Sequence, residues 1–226
     1  MPNAINDKSA FILEHTECLP SALVPEISLY LATDTGPLWR LTEEELADRG
    51  LPPPFWAFAW AGGQALARYI LDNPDLVRGK RVFDFASGSG LIGIAAAKSG
   101  AAYVAANDID PFAHHAMELN AGANNVTMAI SSHNMIGNDL SSFDVILTGD
   151  ICYEQPLADE VEFWLRDVAA SGRMVLMGDP GRTYRPKQGL EKRAHYHVPT
   201  PRELEDNDVR STSVWRILPT DAEQRN

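Results

Sequence analysis

One segment restricts the fold more than any other. Arg81–Phe85 is a short apolar run that passes directly through Asp84-Phe-Ala-Ser-Gly-Ser-Gly90 into a small-residue stretch near Leu91–Lys98. Strand, glycine turn and helix in immediate succession bring backbone close to a ligand and aim helix N–H groups at it. The alternation then continues. Ala102–Ala106 reads as a second strand and Pro111–Ala121 as a helix with Pro at its start. Val126–Ile130 and Phe143–Leu147 read as the third and fourth strands, the latter running into Thr148-Gly149-Asp150. Pro156–Ala170 is a helix with Leu157, Val161, Trp164, Leu165 and Val168 on one face, and Arg173–Met177 is the fifth strand. Apolar strands alternating with helices imply a mostly parallel sheet covered on both faces. Ala194–Val198 and Ser213–Leu218 break the rhythm and read as an antiparallel hairpin closing the sheet at seven strands. The expected class is α/β, with a Rossmann-like topology.

The first 60 residues read differently. Leu23, Ile27, Tyr30 and Leu31 are spaced for one face of a helix. Thr42-Glu-Glu-Glu45 places a Thr N-cap with Glu three residues on, and Gly50 suits the stop. The Glu43–Glu45 run reads as a solvated first turn. Pro52-Pro-Pro54 then forces an extended stretch before the aromatics Phe55, Trp56, Phe58 and Trp60. Gly62-Gly63 opens a helix to about Leu71, ended by Asn73-Pro74. The expected division is a short helical extension over 1–60 and one α/β domain over 61–226.

Composition excludes several roles. The formal charge is −12, which disfavours nonspecific binding to nucleic acid or anionic membrane and permits a basic partner. Two cysteines, Cys18 and Cys152, cannot build a disulfide framework or a thiolate zinc site. No apolar run reaches the roughly 18 residues that span a bilayer. The N-terminal stretch lacks the basic and apolar regions of a secretory signal. The expectation is a soluble cytoplasmic protein. His195 and His197 share one strand face, but a third ligand is not evident, so no metal is expected. His114 and His115 cannot share a helix face and read as surface or packing residues.

The chemistry concentrates at strand ends. Gly88-Ser-Gly90-Leu-Ile-Gly93 spells GxGxxG, and Asp108 follows at the end of the second strand, where an acid can accept from both ribose hydroxyls. A dinucleotide and S-adenosylmethionine both fit this pattern, as does a tight turn with no ligand. Asp84 favours S-adenosylmethionine: a carboxylate in the turn repels a pyrophosphate but attracts a sulfonium and an α-ammonium. About 50 residues outside the alternating region are also too few for a dehydrogenase's second domain. The fourth strand ends in Asp150-Ile-Cys-Tyr153, on the edge where ligands of open α/β sheets bind. An acid and a tyrosine suit an amine acceptor; a helix N-cap is the bland alternative for Asp150. Arg182, after the fifth strand, is open to a substrate-facing or a structural role.

Asp84–Gly90, Asn107–Asp110 and Asp150–Tyr153 together resemble the motifs of the class I, seven-strand S-adenosylmethionine-dependent methyltransferases. The Asp-x-x-Tyr motif is similar to that of the methyltransferase-like protein lysine methyltransferases. Trp60–Leu66, Leu71–Asp75, Val77–Lys80, Asn107–Pro111, Gly178–Arg182 and Ser211–Trp215 are similar to the lysine methyltransferases of the electron transfer flavoprotein β subunit. Ala86 departs from the class, which usually has its first glycine there. The resemblance implies a protein substrate, the flavoprotein β subunit, a monomeric enzyme and no metal. It implies that Gly88 and Gly90, with Ala86 and Ser87, approach the methionine part of the donor, with Asp84 near its ammonium. Asn107 and Gly149 line the same pocket, Asp108 binds the ribose, and Ile109 packs on the adenine. Asn134 bonds the adenine edge and Trp60 walls the pocket. Asp150 and Tyr153 face the lysine. A ribosomal protein as acceptor, or a silent donor-binding module, are the rival readings.

Overall fold

The computed structural model describes residues 5, 7–33, 38, 52–200 and 208–220. Helix α1 (Lys8–His15) precedes a hairpin of β1 (Glu17–Pro20) and β2 (Ser28–Leu31). Helix α2 (Ala61–Asp72) leads into the alternating region: β3 (Arg81–Phe85), α3 (Leu91–Lys98), β4 (Tyr103–Asn107), α4 (Pro111–Ala123), β5 (Ala129–Ser131), β6 (Val145–Gly149), α5 (Leu157–Ala170) and β7 (Met174–Asp179). Strands β8 (Leu190–Pro199) and β9 (Val209–Ile217) complete it.

The main sheet has seven strands in the order β5-β4-β3-β6-β7-β9-β8. Strands β3 to β7 pair in parallel, and β9 joins β7 and β8 antiparallel. Alternation along each strand divides the core. Val82, Val104, Val145, Leu147 and Leu176 pack under α2 and α3, and Ala106 packs under α4. Phe83, Phe85, Ile146, Val175 and Met177 face α5 through Val161, Trp164, Leu165 and Val168. Both faces are covered, as near-continuous apolar strands require. Several strand bounds lie a few residues from the expected ones. The fourth begins at Val145, and Phe143 instead stacks on Tyr103 and meets Phe83 at a tilt at the sheet's lower rim.

The expected helix through Leu23, Ile27, Tyr30 and Leu31 is instead the β1–β2 hairpin, paired Cys18↔Tyr30. Pro25 interrupts a helix there. The decisive partners lie in α4: Asn120 Oδ1 accepts from Tyr30 N–H at 2.7 Å, and Asn124 exchanges bonds with the Ser28 main chain. The extension is thus part strand, and its buried Ile12 and Trp56 share a core with Phe112 and Met117. The Thr42–Glu45 capping box lies outside the described residues.

Register places the function-bearing turns together. Phe85 pairs with Asn107 on one side and Thr148 on the other, and Gly149 pairs with Gly178. The turns after β3, β4, β6 and β7 therefore leave the sheet at one edge. The chain reverses direction across the sheet between β3 and β6, so a crevice opens there.

Candidate active site

The turn after β3 and the acid after β4 are tied directly. Gly88 N–H donates to Asp108 Oδ2 at 2.8 Å, while Asp110 N–H donates to Asp108 Oδ1 at 3.0 Å. Ser87 binds the two strand ends: its Oγ donates to the Asp84 carbonyl and accepts from Asn107 N–H. Gly90 holds φ +81° as the first cap of α3, and Asn120 Nδ2 supports the same turn through the Ser89 carbonyl. Ala86 stands at φ +53°, a left-handed conformation that costs an L-residue roughly 1–2 kcal/mol.

Asp84 is fully buried at the base of this turn. Its Oδ2 accepts from Gly93 N–H at 2.8 Å, and its Oδ1 is buried without a hydrogen-bond partner among the described residues. Burial pushes its carboxyl up to about 7, only partly offset by the bonds from Gly93 and Ser87. Burial likewise raises Asp108, and raises Asp110 to about 6. Neither Asp84 nor Asp108 has an ion-pair partner among the described residues. Two acids without a cation, flanking a backbone cradle, are an anionic site.

Asn107 turns its amide toward the protein, donating to Ser131 and to the His133 carbonyl at 2.9–3.1 Å. It therefore positions the segment after β5 rather than presenting a donor to the crevice. Asn134, in that segment, gives its Oδ1 to Ile136 N–H, which leaves only its Nδ2 group for a ligand. Ile109 is 69% exposed on the outer side of Asp108, an unusual placement for a large aliphatic side chain.

A second centre lies across the crevice. Asp150 does not cap a helix, since α5 begins only at Leu157. It sits at φ +57°, strained, and is held from three sides. Its N–H donates to the Gly178 carbonyl, its Oδ2 accepts from Gly63 N–H at 3.0 Å, and its Oδ1 accepts from Arg182 Nε and Nη2 at 3.2 and 2.7 Å. The α2 N-terminus can approach because Gly62, Gly149 and Gly178 carry no side chains. A Cβ on Gly149 would lie 2.9 Å from Gly63 N, and one on Gly62 would strike the Asp150 carboxylate.

Aromatic rings line the mouth. Phe55 lies 5.9 Å from Trp60 and 5.7 Å from Tyr153, centroid to centroid, and Trp60 Nε1 donates to the Phe55 carbonyl. Arg182 lies 5.5 Å above the Trp60 ring. Phe55 and Tyr153 are nearly half exposed. Cys152, between the two site residues, points inward to Met177 Sδ, and burial pushes its thiol up to about 12, which makes it inert. His195 bonds Ser211 and Ser213, and no metal-holding cluster occurs among the described residues.

The chain is 40% identical, over 93% of its length and 83% of theirs, to an electron transfer flavoprotein beta subunit lysine methyltransferase from Danio rerio. The chain belongs to that family. The Homo sapiens member is 39% identical over 93% of this chain and 82% of its own. A family model described as ribosomal protein L11 methyltransferase (PrmA) matches residues 65–178. The fold is also that of a putative RNA methyltransferase from Pyrococcus horikoshii, with TM-score 0.51 and 13% identity over 71% of this chain and 82% of that one.

As a member of this family the chain is an S-adenosylmethionine-dependent protein-lysine methyltransferase. The crevice fits the donor. The buried Asp84 Oδ1 without a partner suits a cationic ligand, and the Gly88–Gly90 cradle holds no phosphate-repelling or phosphate-binding side chain other than acids. A pyrophosphate would meet two uncompensated carboxylates.

The sequence marks Asp84, Asp108 and Asp150 as candidates but does not show what holds Asp150. Gly63 N–H and Arg182 were the missing partners. The signal was present in the paired glycines Gly62-Gly63 and in Gly178-Asp-Pro-Gly-Arg182, whose small residues mark a close approach of backbones.

Proposed function

We propose that this chain methylates lysine side chains of the electron transfer flavoprotein β subunit, acting as a cytoplasmic monomer that binds neither nucleic acid nor membrane. The observation that carries the reading is the 40% identity, over most of both chains, to enzymes named for that substrate. No described helix is long and apolar enough to cross a membrane, and the net charge of −12 suits a basic docking face rather than an anionic surface. We read residues 61–226 as the methyltransferase domain and 1–60 as an extension sharing its core.

In this reading Gly88 and Gly90, with Ala86 and Ser87, approach the methionine part of the donor, and Asp84 offers Oδ1 to its ammonium. Asp108 takes the ribose hydroxyls, Ile109 covers the adenine, and Asn134 meets the adenine edge through Nδ2. Asn107 and Gly149 shape the pocket from behind, and Trp60 walls it.

S-adenosylmethionine, when bound, supplies an electrophilic methyl group on a sulfonium sulfur. A free lysine has a pKa of about 10.4 and is mostly protonated at neutral pH, so the amine must lose a proton before it attacks. The lysine stem passes between Phe55, Trp60 and Tyr153, which exclude water. Asp150 accepts an N–H of the amine and orients its lone pair. A carboxylate already paired with Arg182 and Gly63 N–H is a poor proton acceptor, so protons leave to solvent along the channel. Asp84, Gly88, Gly90 and Asp108 would hold the donor, and its methyl would pass to the lysine nitrogen that Asp150 orients, the sulfur–carbon electron pair leaving with sulfur. Holding reacting atoms about 3–3.5 Å apart contributes on the order of 7–11 kcal/mol.

A ribosomal-protein acceptor is the second reading, favoured by the family model over residues 65–178. The test mixes the protein with labelled S-adenosylmethionine and either purified electron transfer flavoprotein or ribosomal proteins from the same source. Mass spectrometry maps the methyl groups, with D150A as control. Labelled β-subunit lysines, lost in D150A, support the first reading. Label on a ribosomal protein alone replaces it with the second.

A further inference from the structure

The acceptor site carries a cation of its own, Arg182. Arg182 bonds Asp150 Oδ1 twice and lies over the Trp60 ring, so its charge stands at the point where a lysine ammonium would otherwise be drawn in. Its side chain is 17% exposed and that of Asp150 10%, so water screens the pair only partly.

We propose that Arg182 is a positioning residue of the acceptor site: it fixes the Asp150 carboxylate and, by cancelling its charge, makes the site receive lysine as the neutral amine. This inference rests on reading the crevice as a lysine-acceptor site. A lone Asp150 would bind the ammonium tightly, in the protonation state that cannot attack. Paired with Arg182, the carboxylate still accepts an N–H bond but offers little net attraction to a cation. The donor's sulfonium adds a second positive charge nearby, so deprotonation of the arriving lysine is favoured by both.

Among the described residues, the surrounding charges leave this balance in place. From β7 and the turn beyond it, Asp179 faces Arg185 at 3.4 Å and accepts from Gly181 and Arg182 N–H, so that pair is also close to neutral. From the β6 turn come Asp150 itself, Cys152, Tyr153 and the exposed Glu154. Across the crevice stands Asp108, committed to two backbone N–H groups. The first turn of α2, Ala61-Gly-Gly-Gln64, carries no charged side chain and presents only N–H donors.

The test is the pH profile of kcat at saturating purified flavoprotein, for wild type, R182Q, R182K and D179N, each first shown by calorimetry to bind S-adenosylmethionine. R182Q is expected to move the rising limb up by about one pH unit, which is a tenfold change in the fraction of reactive amine. Its deficit is then about tenfold at pH 7.5 and shrinks to about threefold or less near pH 9.5. R182K keeps the charge and therefore the wild-type midpoint, with a lower rate throughout because it cannot make the two-pronged contact. D179N removes a neighbouring negative charge and moves the limb down; it is the deciding variant if R182Q does not bind the donor. An R182Q profile parallel to wild type, an R182K midpoint shifted as far as that of R182Q, or an unshifted D179N where that variant decides, overturns the inference. Absence of transfer by wild type at every pH would instead sink the substrate reading beneath it.

Discussion

Gly62 and Gly178 meet backbone to backbone: a Cβ on either one would strike the carbonyl of the other. This contact seats the first turn of α2 on the ends of β6 and β7. It is the reason Gly63 N–H can reach Asp150 and Trp60 can stand beside Arg182. Two small residues far apart in the chain thus set the width of the acceptor site.

Substituting one of them should be costly. G178A forces α2 away from the sheet and is expected to lower stability by about 1–3 kcal/mol, as overpacking generally does, and to reduce methyl transfer with it. G122A, in α4 with open space around it, is the control and is expected to be neutral or stabilising by about 0.5–1 kcal/mol. Urea unfolding monitored by tryptophan fluorescence separates the two. Equal midpoints would contradict the close-approach argument.

Donor affinity should depend steeply on Asp108. D108A removes the ribose acceptor and leaves Gly88 and Asp110 N–H without theirs. Bonds to a charged group contribute about 1.5–3 kcal/mol, so the Kd for S-adenosylmethionine should rise about 10- to 100-fold by titration calorimetry. An unchanged Kd would remove Asp108 from the binding site.

Ala86 offers a test in the opposite direction. At φ +53° it carries left-handed strain that glycine does not. A86G should therefore stabilise the protein by about 0.5–1 kcal/mol once the extra freedom of glycine in the unfolded chain is set against the relief. A lower denaturation midpoint in A86G would show that the turn is not strained there.

Asp84 should make donor-free stability depend on pH with a definite sign. Its folded carboxyl lies at about 7, above its ordinary value of 3.8. The folded state therefore binds the proton more tightly than the unfolded chain. The stability from the protonated acid is fully present below about 3.8 and is lost as pH rises toward 7. D84N keeps an acceptor for Gly93 N–H but cannot ionise. The Tm difference between D84N and wild type should widen in favour of D84N from pH 4 to pH 7. A constant difference would mean that Asp84 is not held protonated. The same variant should bind S-adenosylmethionine more weakly, since the ammonium loses its counter-charge.

The sheet was readable because its signals are local. Apolar runs bounded by glycine turns and Pro at Pro111 follow from backbone preferences a few residues long, and they mark the strand ends that carry the candidates Asp84, Asp108 and Asp150 without tertiary information. The hairpin of Glu17–Leu31 was not readable in this way. Its apolar spacing fits a helix, and beside the β1–β2 pairing itself the bonds that brace β2 come from the Asn120 and Asn124 side chains, about 90 residues away in the chain. Asn107 looked like a ligand contact because its type and place fit one, yet three acceptors around Ser131 and His133 claim its amide.

By itself, then, the sequence determined the alternation of strands and helices from Arg81 onward, the edge of the sheet that bears the glycine turns, and the acids near the ends of β3, β4 and β6. Tertiary structure alone decided what those charges face. Asp84 remains without a partner on one oxygen among the described residues, whereas Asp150 meets Arg182 from the turn after β7, and Gly63 N–H because Gly62, Gly149 and Gly178 let separate backbones close to contact distance. Partnering at that range depends on packing between segments remote in the chain: the local glycine patterns mark a close approach but do not say which segment arrives.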